Sequence, residues 1–164
     1  MKAKHYLALI ILQISLFSFS QTVKYRYRAL HEDGCTVIFG ITKKDSTYIL
    51  TSSVKSLGLT LLKEPAILIK TFKNNIITLN GELINNNSSS VGIMFDNFII
   101  PIIENTTIAQ FKIKEEYLEL FKEGVAKIRI TTIPSTHERT FKKDKIGMKL
   151  YNAYMNTKNE TENF

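Results

Sequence analysis

Tryptophan is absent, cysteine occurs once, and the 164 residues hold three prolines and three histidines. The lone Cys35 closes no intramolecular disulfide, so a secreted form of this chain depends on its apolar core for stability. It also leaves no Cys-x-x-Cys pair for zinc or redox chemistry. Cys35 lies between Gly34 and an apolar stretch at residues 36–39, and we read it as a small buried residue; a reactive thiol or an intermolecular disulfide is the alternative. No G-x-S-x-G elbow, phosphate-cradling glycine loop or H-E-x-x-H motif occurs. Those absences remove the sequence signatures of several enzyme classes, while a triad assembled by the fold stays open because triads keep no fixed chain order.

What is present begins with Lys2 and Lys4 followed by an apolar run over residues 6–19. A positive start, a short apolar run and small residues at Ser18 and Ser20 together read as a secretory signal peptide, residues 1–20, with Gln21 as the new N-terminus. The run is shorter than the roughly 20 residues that cross a bilayer as a helix, which disfavours a retained signal anchor, and no cysteine stands at the cut for a lipid anchor. Residues 21–164 are then one exported domain, large enough for its own core. Cleavage leaves twenty Lys and Arg against fifteen Asp and Glu, a formal charge of +5. A bias toward Ile, Asn and Lys suggests an AT-rich genome and a bacterial exported protein, periplasmic or extracellular. The N-x-Ser/Thr triplets at Asn86, Asn87, Asn105 and Asn159 are expected by chance in so Asn-rich a chain.

Residues 23–29, VKYRYRA, alternate apolar and aromatic residues with Lys24, Arg26 and Arg28. Alternation with a period of two predicts a strand with tyrosines toward a core and cations toward solvent, whereas a nucleic-acid stacking platform needs both on one face. A turn at residues 31–34, a second strand over 35–42, a polar turn at 43–46 and a third strand over 47–53 follow. Residues 54–63 are ambiguous between strand and short helix, with Pro65 limiting a helix. The β-branched runs 66–72 and 76–84 predict a hairpin about Lys73, Asn74 and Asn75. The run NNNSSS, residues 85–90, reads as a polar mobile loop. Asp96 and Asn97 mark a tight turn or bulge between two apolar runs, and Pro101 pushes the second run toward a sheet edge.

Residues 107–113 predict another strand. Glu115 and Glu116 open a short helix with Tyr117, Leu118 and Phe121 on one face and Gly124 at its end. Residues 125–133 return to strand, with Val125, Lys127, Arg129 and Thr131 on one side and Ala126, Ile128, Ile130 and Thr132 on the other. Residues 140–156 predict the longest helix, with Phe141, Met148, Tyr151 and Met155 on one stripe and Ile146, Leu150 and Tyr154 on a second, as if packed on two sides. Gly147 weakens that helix interior, and residues from Thr157 onward are expected to fray. The fold class is α+β: a mainly antiparallel sheet or partial barrel with one short helix and one longer C-terminal helix.

Residues 111–141, FKIKEEYLELFKEGVAKIRITTIPSTHERTF, carry a strand, a short L-x-x-F helix at Leu118 and Phe121, and a strand ending in Arg129-Ile130. This segment resembles an element near the C-termini of small exported bacterial proteins that are mostly uncharacterised. Lys114 departs from the Ser, Thr or Asp expected at such a helix start. The resemblance implies topology and no activity.

The candidate constellations are few. His31 and His137, each followed by a glutamate, are read as surface turn residues because a closed zinc site needs about four ligands at recognisable spacing. Lys24, Arg26 and Arg28, with Lys142, Lys145 and Lys149, would form one cationic surface for an anionic polymer or lipid headgroup if the first strand and last helix were neighbours. The leading expectation is a non-enzymatic exported module that binds or stabilises an unidentified envelope or extracellular protein through its sheet face or edge, without a cofactor. An anionic-surface binder is the second reading and a small hydrolase the third, with no residue to nominate for catalysis and no metal. Nucleic acid is not an expected partner, and no membrane span is expected once the signal peptide is removed.

Overall fold

The computed structural model describes residues 22–29, 32–95 and 98–162. The signal-like segment lies outside the described residues, as do His31 and the Asp96-Asn97 turn. Ten strands run in chain order: β1 (Thr22–Ala29), β2 (Glu32–Lys44), β3 (Thr47–Ser56), β4 (Thr60–Leu61), β5 (Ala66–Thr71), β6 (Ile76–Phe95), β7 (Phe98–Ile113), β8 (Val125–Ile130), β9 (Thr132–Ile133) and β10 (His137–Thr140). Helix α1 (Glu115–Glu119), continued by a 3-10 turn (Leu120–Glu123), separates β7 from β8, and α2 (Gly147–Glu162) follows β10. Eight strands form an antiparallel half-barrel in the order β1-β2-β3-β7-β6-β5-β8-β10, and β4 and β9 pair separately. The mainly antiparallel sheet and the two helices match the expected architecture, although so short a first helix makes the fold mainly β.

The half-barrel turns its corner within β6. Residues 76–80 pair with β5, and from Gly81 onward the same strand pairs with β7, beginning with Gly81 opposite Phe111. Phe111 is fully buried and lies over Gly81, where a β-carbon would stand 2.6 Å from Phe111 Cε1 and 2.5 Å from the Gln110 carbonyl oxygen. Only a residue without a side chain permits that approach. The released edge of β6 is taken up by the segment before β5, with Gly81 N–H donating to the Pro65 carbonyl (2.8 Å) and Leu83 N–H to that of Lys63 (3.3 Å).

Alternation fills the core. On β3 the buried residues Tyr48, Leu50, Ser52 and Val54 alternate with partly exposed ones, and Ile67 and Ile69 of β5 do the same. Leu118 and Phe121 are buried as their helical spacing predicted, and Gly124 (φ 74°) ends the element. Strand β8 departs from the expected two faces. Lys70 is opposite Lys127 but Thr71 is opposite Val125, so Ala126 is an extra residue, and this bulge turns Val125 into the core beside Ile128 and Ile130.

Helix α2 starts later and ends later than expected. Asp144 sets the start: its Oδ1 accepts from the backbone N–H groups of Gly147 (2.7 Å), Val125 (3.0 Å) and Ile146 (3.2 Å), and Oδ2 from Met148 (2.9 Å). One carboxylate thereby caps α2 and ties it to the start of β8. Gly147 is the first helical residue, not an interior flaw, and a β-carbon there would meet Gly124 Cα at 2.6 Å. The helix is buried on one side only. Leu150, Ala153 and Tyr154 face the core, Tyr151 and Met155 flank them, and Met148 is exposed. Its last turns are held rather than frayed, since Lys158 Nζ lies 2.7 Å from Glu115 Oε1 and Thr157 Oγ1, which donates within the helix to the Ala153 carbonyl (2.9 Å), also lies 3.3 Å from the Ile41 carbonyl of β2.

Replacing Gly81 with alanine is expected to lose about 1–3 kcal/mol in urea unfolding, because neither the Phe111 ring nor the Gln110 backbone can yield freely. Asp144→Ala, which strips the cap from α2 and the tie to Val125, is expected to cost about 1–2 kcal/mol in the same measurement. An unchanged midpoint for either variant would contradict the role assigned to it.

Candidate functional site

Past its corner the β6–β7 pair outgrows the sheet. β3 pairs with β7 only as far as Asn105, and β5 leaves β6 at Asn80, yet β6 and β7 remain paired out to Phe95 opposite Phe98. A register shift leaves Ile84 as an extra residue where the pair leaves the body. Bulges re-aim strands, and here the bulge stands at the root of a two-stranded arm built from residues 85–95 and 98–104. Among the described residues no strand pairs with either outer edge of that arm. The NNNSSS run is therefore strand rather than mobile loop: its backbone pairs with β7, and Ser88 Oγ donates to Asn105 Oδ1 (2.7 Å). Pro101 lies in the β7 half, where one edge is open, as a residue without a backbone donor requires.

Exposed apolar side chains stand at the root of the arm and on its β7 strand. Ile84, Ile99 and Ile103 are 54%, 70% and 61% exposed. In sequence, residues 91–103 carry one charge, Asp96, among Val, Ile, Met and Phe. The nearest ion pair is at the root, where Lys55 Nζ lies 2.8 Å from Glu104 Oε2.

A groove of about 720 Å³ opens on the body side of the arm, lined by Ile49, Glu64, Asn80, Gly81, Glu82, Gln110 and Lys112. Gln110 and Lys112 flank Phe111 on β7 and therefore share the face opposite the core. With two carboxylates, two carboxamides and one ammonium, the groove offers hydrogen bonds of both kinds and no single sign of charge. Among the described residues no group of three or more His, Cys, Asp or Glu is placed to hold a metal ion.

The sequence-nominated cations fall in separate places. Lys24, Arg26 and Arg28 lie on β1, one edge of the sheet, with Lys24 opposite Ile38 and Arg26 opposite Thr36. Cations on an edge strand discourage pairing with a further strand. Lys142 and Lys145 are exposed in the bend before α2, and Lys149 is exposed in its first turn, so the three do not form one helical stripe. That end of α2 meets Gly124, whereas its other end reaches Ile41, beside the Gly40 that pairs with Thr22 of β1. The neighbouring of β1 and α2 therefore occurs at the end of the helix away from these lysines. Cys35 is buried, as expected.

His137 corrects the reading as a surface turn residue. It stands on β10 opposite Ile130 and is 2% exposed. Burial, with Arg139 nearby, holds its imidazole below the ordinary value of 6.5. The following Glu138 binds outward, 2.6 Å from Lys127 Nζ and 2.7 Å from Arg129 Nη2, and those bonds lower its carboxyl. Tyr154 is also buried; its hydroxyl contacts Glu115 Oε1 (2.6 Å) and Glu119 Oε1 (3.0 Å), and burial together with the two carboxylates raises its pKa. These groups fasten strands and helices to one another.

Comparison with protein-family models, curated proteins and solved structures finds no match. No helix among the described residues is long and apolar enough to cross a membrane.

The depressed His137 has a defined consequence. Below about pH 6.5 the unfolded chain binds a proton that the folded chain refuses, so stability is complete above that pH and declines as pH falls toward the lowered folded value. The lowered carboxyls of Glu115, Glu138 and Asp144 act only below about 4.5, which separates the two windows. Thermal unfolding at pH 7.5 and 5.5 is expected to show a drop in Tm that shrinks in His137→Gln. An equal drop in both proteins would remove His137 as the cause.

Proposed function

We propose that this chain is an exported, non-enzymatic binding module, periplasmic or extracellular, that engages a protein partner by strand addition along its arm. The carrying observation is the two-stranded extension past Asn105 and Asn80, whose outer edges no strand among the described residues covers. An open edge presents a row of backbone donors and acceptors ready to pair, and main-chain bonds to an added strand supply affinity while side chains supply selection. The exposed Ile99 and Ile103 add apolar area next to that edge.

A second reading, attachment to an anionic polymer or lipid surface, is favoured by the exposed Lys142, Lys145 and Lys149 at the start of α2. The two differ in their response to salt, because charge contacts at an exposed surface weaken as ionic strength rises and an apolar strand interface does not.

Capture from an envelope extract with residues 21–164 as bait, washed from low to high salt, separates them. The arm reading expects a protein that survives high salt and is lost when Ile99 and Ile103 are both changed to lysine. Retention only at low salt, unaffected by those substitutions and abolished by neutralising Lys142, Lys145 and Lys149, would transfer the function to the cationic surface.

A further inference from the structure

The exposed edges of the eight-stranded sheet are not treated alike. β1, one end of the eight-stranded sheet, carries Lys24, Arg26 and Arg28, and β10, the other end, has four residues of which two, Glu138 and Arg139, are charged. Short length and charge are the devices by which edge strands avoid accidental pairing. The arm has neither along its β6 side. Residues 85–95, NNNSSSVGIMF, form an edge of eleven residues with no charge and no proline, roughly 37 Å long. The β7 side is interrupted by Pro101. An unprotected edge of that length is consistent with an edge that is covered in the working protein.

Resting on the binding-module reading above, we propose that the occupant is a second copy of this chain, the β6 edges of two arms pairing antiparallel about a twofold axis. Charge is the first reason. The stretch from 85 to 95 is uncharged, so it meets its own copy without repulsion and offers nothing to an acidic or basic partner. The bodies carry an excess of positive charge and repel one another, and an arm of this length keeps them apart while the neutral segments meet. Symmetry is the second reason, because an antiparallel edge pairs with itself in an isologous contact that closes at two copies. Area is the third. Two paired ribbons, each tip lying along its partner's root, meet along the roughly 37 Å of the β6 edge, a contact long enough to approach the ~1,000 Å² at which specific interfaces begin. Insertion of the arm into lipid is disfavoured by the same edges, whose backbone groups would go unpaired in hydrocarbon. Nor do residues 84–90 or 104–107 offer a basic collar for headgroups.

Sedimentation velocity of residues 21–164 from about 1 to 300 µM tests this directly, with 0.1 and 0.5 M NaCl compared. The expected result is a monomer–dimer equilibrium that holds or tightens as salt rises, since salt screens the repelling bodies and leaves the neutral edge untouched. Asn87→Lys with Ser90→Lys, two exposed positions on the β6 edge, is expected to raise the dissociation constant at least tenfold. Met148→Lys, exposed on α2 and away from the arm, should leave it unchanged. Circular dichroism confirms that each variant keeps its strands. A monomer throughout the range overturns the proposal, as does a dimer indifferent to the β6-edge lysines or one broken equally by Met148→Lys. A monomer whose arm variants lose a different captured protein overturns self-pairing while the strand-addition reading survives. Arm-dependent sedimentation with neutral phosphatidylcholine vesicles, in place of dimerisation, would give the arm to lipid.

Discussion

The approach of the Phe111 ring to Gly81 is the contact on which the rest of the structure depends. A strand can leave one neighbour for another only where its backbone bends, and β6 does so at the residue whose missing side chain makes room for the ring. On one side of that point lie β5, β8 and β10, and on the other β7, β3, β2 and β1. The curvature turns Leu50, Ile69, Ile77, Phe111 and Ile128 toward a common interior, which α2 covers with Leu150 and Tyr154. The same bend creates the groove at Asn80, Glu82 and Gln110 and sends the remainder of β6 beyond the sheet as an arm.

Closure of the core is completed by polar ties at the helix ends. Asp144 joins the start of α2 to the start of β8 through four backbone donors, and Tyr154, Glu115 and Lys158 join its later turns to α1. Burial opposes the charge of Asp144, but the backbone donors prevail and keep its carboxyl below its usual value. Without a disulfide, these ties resist fraying where the chain would otherwise loosen. The body is well closed and the arm is not, and that contrast is why the arm carries the functional reading.

Much of the body was legible in the residues. The alternation in 47–53, the turn at Lys73, Asn74 and Asn75, and the Leu118/Phe121 face of the short helix all appear where patterning placed them. Three elements were not legible, each because a distant partner overrode a local signal. Asn and Ser favour loops when nothing pairs with them, but residues 85–90 lie opposite 103–108 and become strand. Val125 shares a sequence parity with Lys127, yet the bulge at Ala126 reverses its side. The lysines at 142 and 145 fit a helical stripe, but Asp144 captures the donors of Ile146, Gly147 and Met148 and starts the helix after them. The Asp144 cap carried a local signal, an aspartate three residues before Gly147, whereas the open arm left no comparable trace.

Sequence by itself determined a mainly antiparallel sheet with a short and a longer helix, the absence of an intramolecular disulfide and the buried faces of strands such as β3 and β5, because those follow from residue type and a period of two or of 3.6. Tertiary structure alone decided where β6 changes partners, that His137 is buried, and that β6 and β7 stay paired beyond their neighbours. Those outcomes depend on which strands end first: β3 reaches Asn105 and β5 reaches Asn80, and only the lengths of such distant neighbours determine whether a given edge is covered or open.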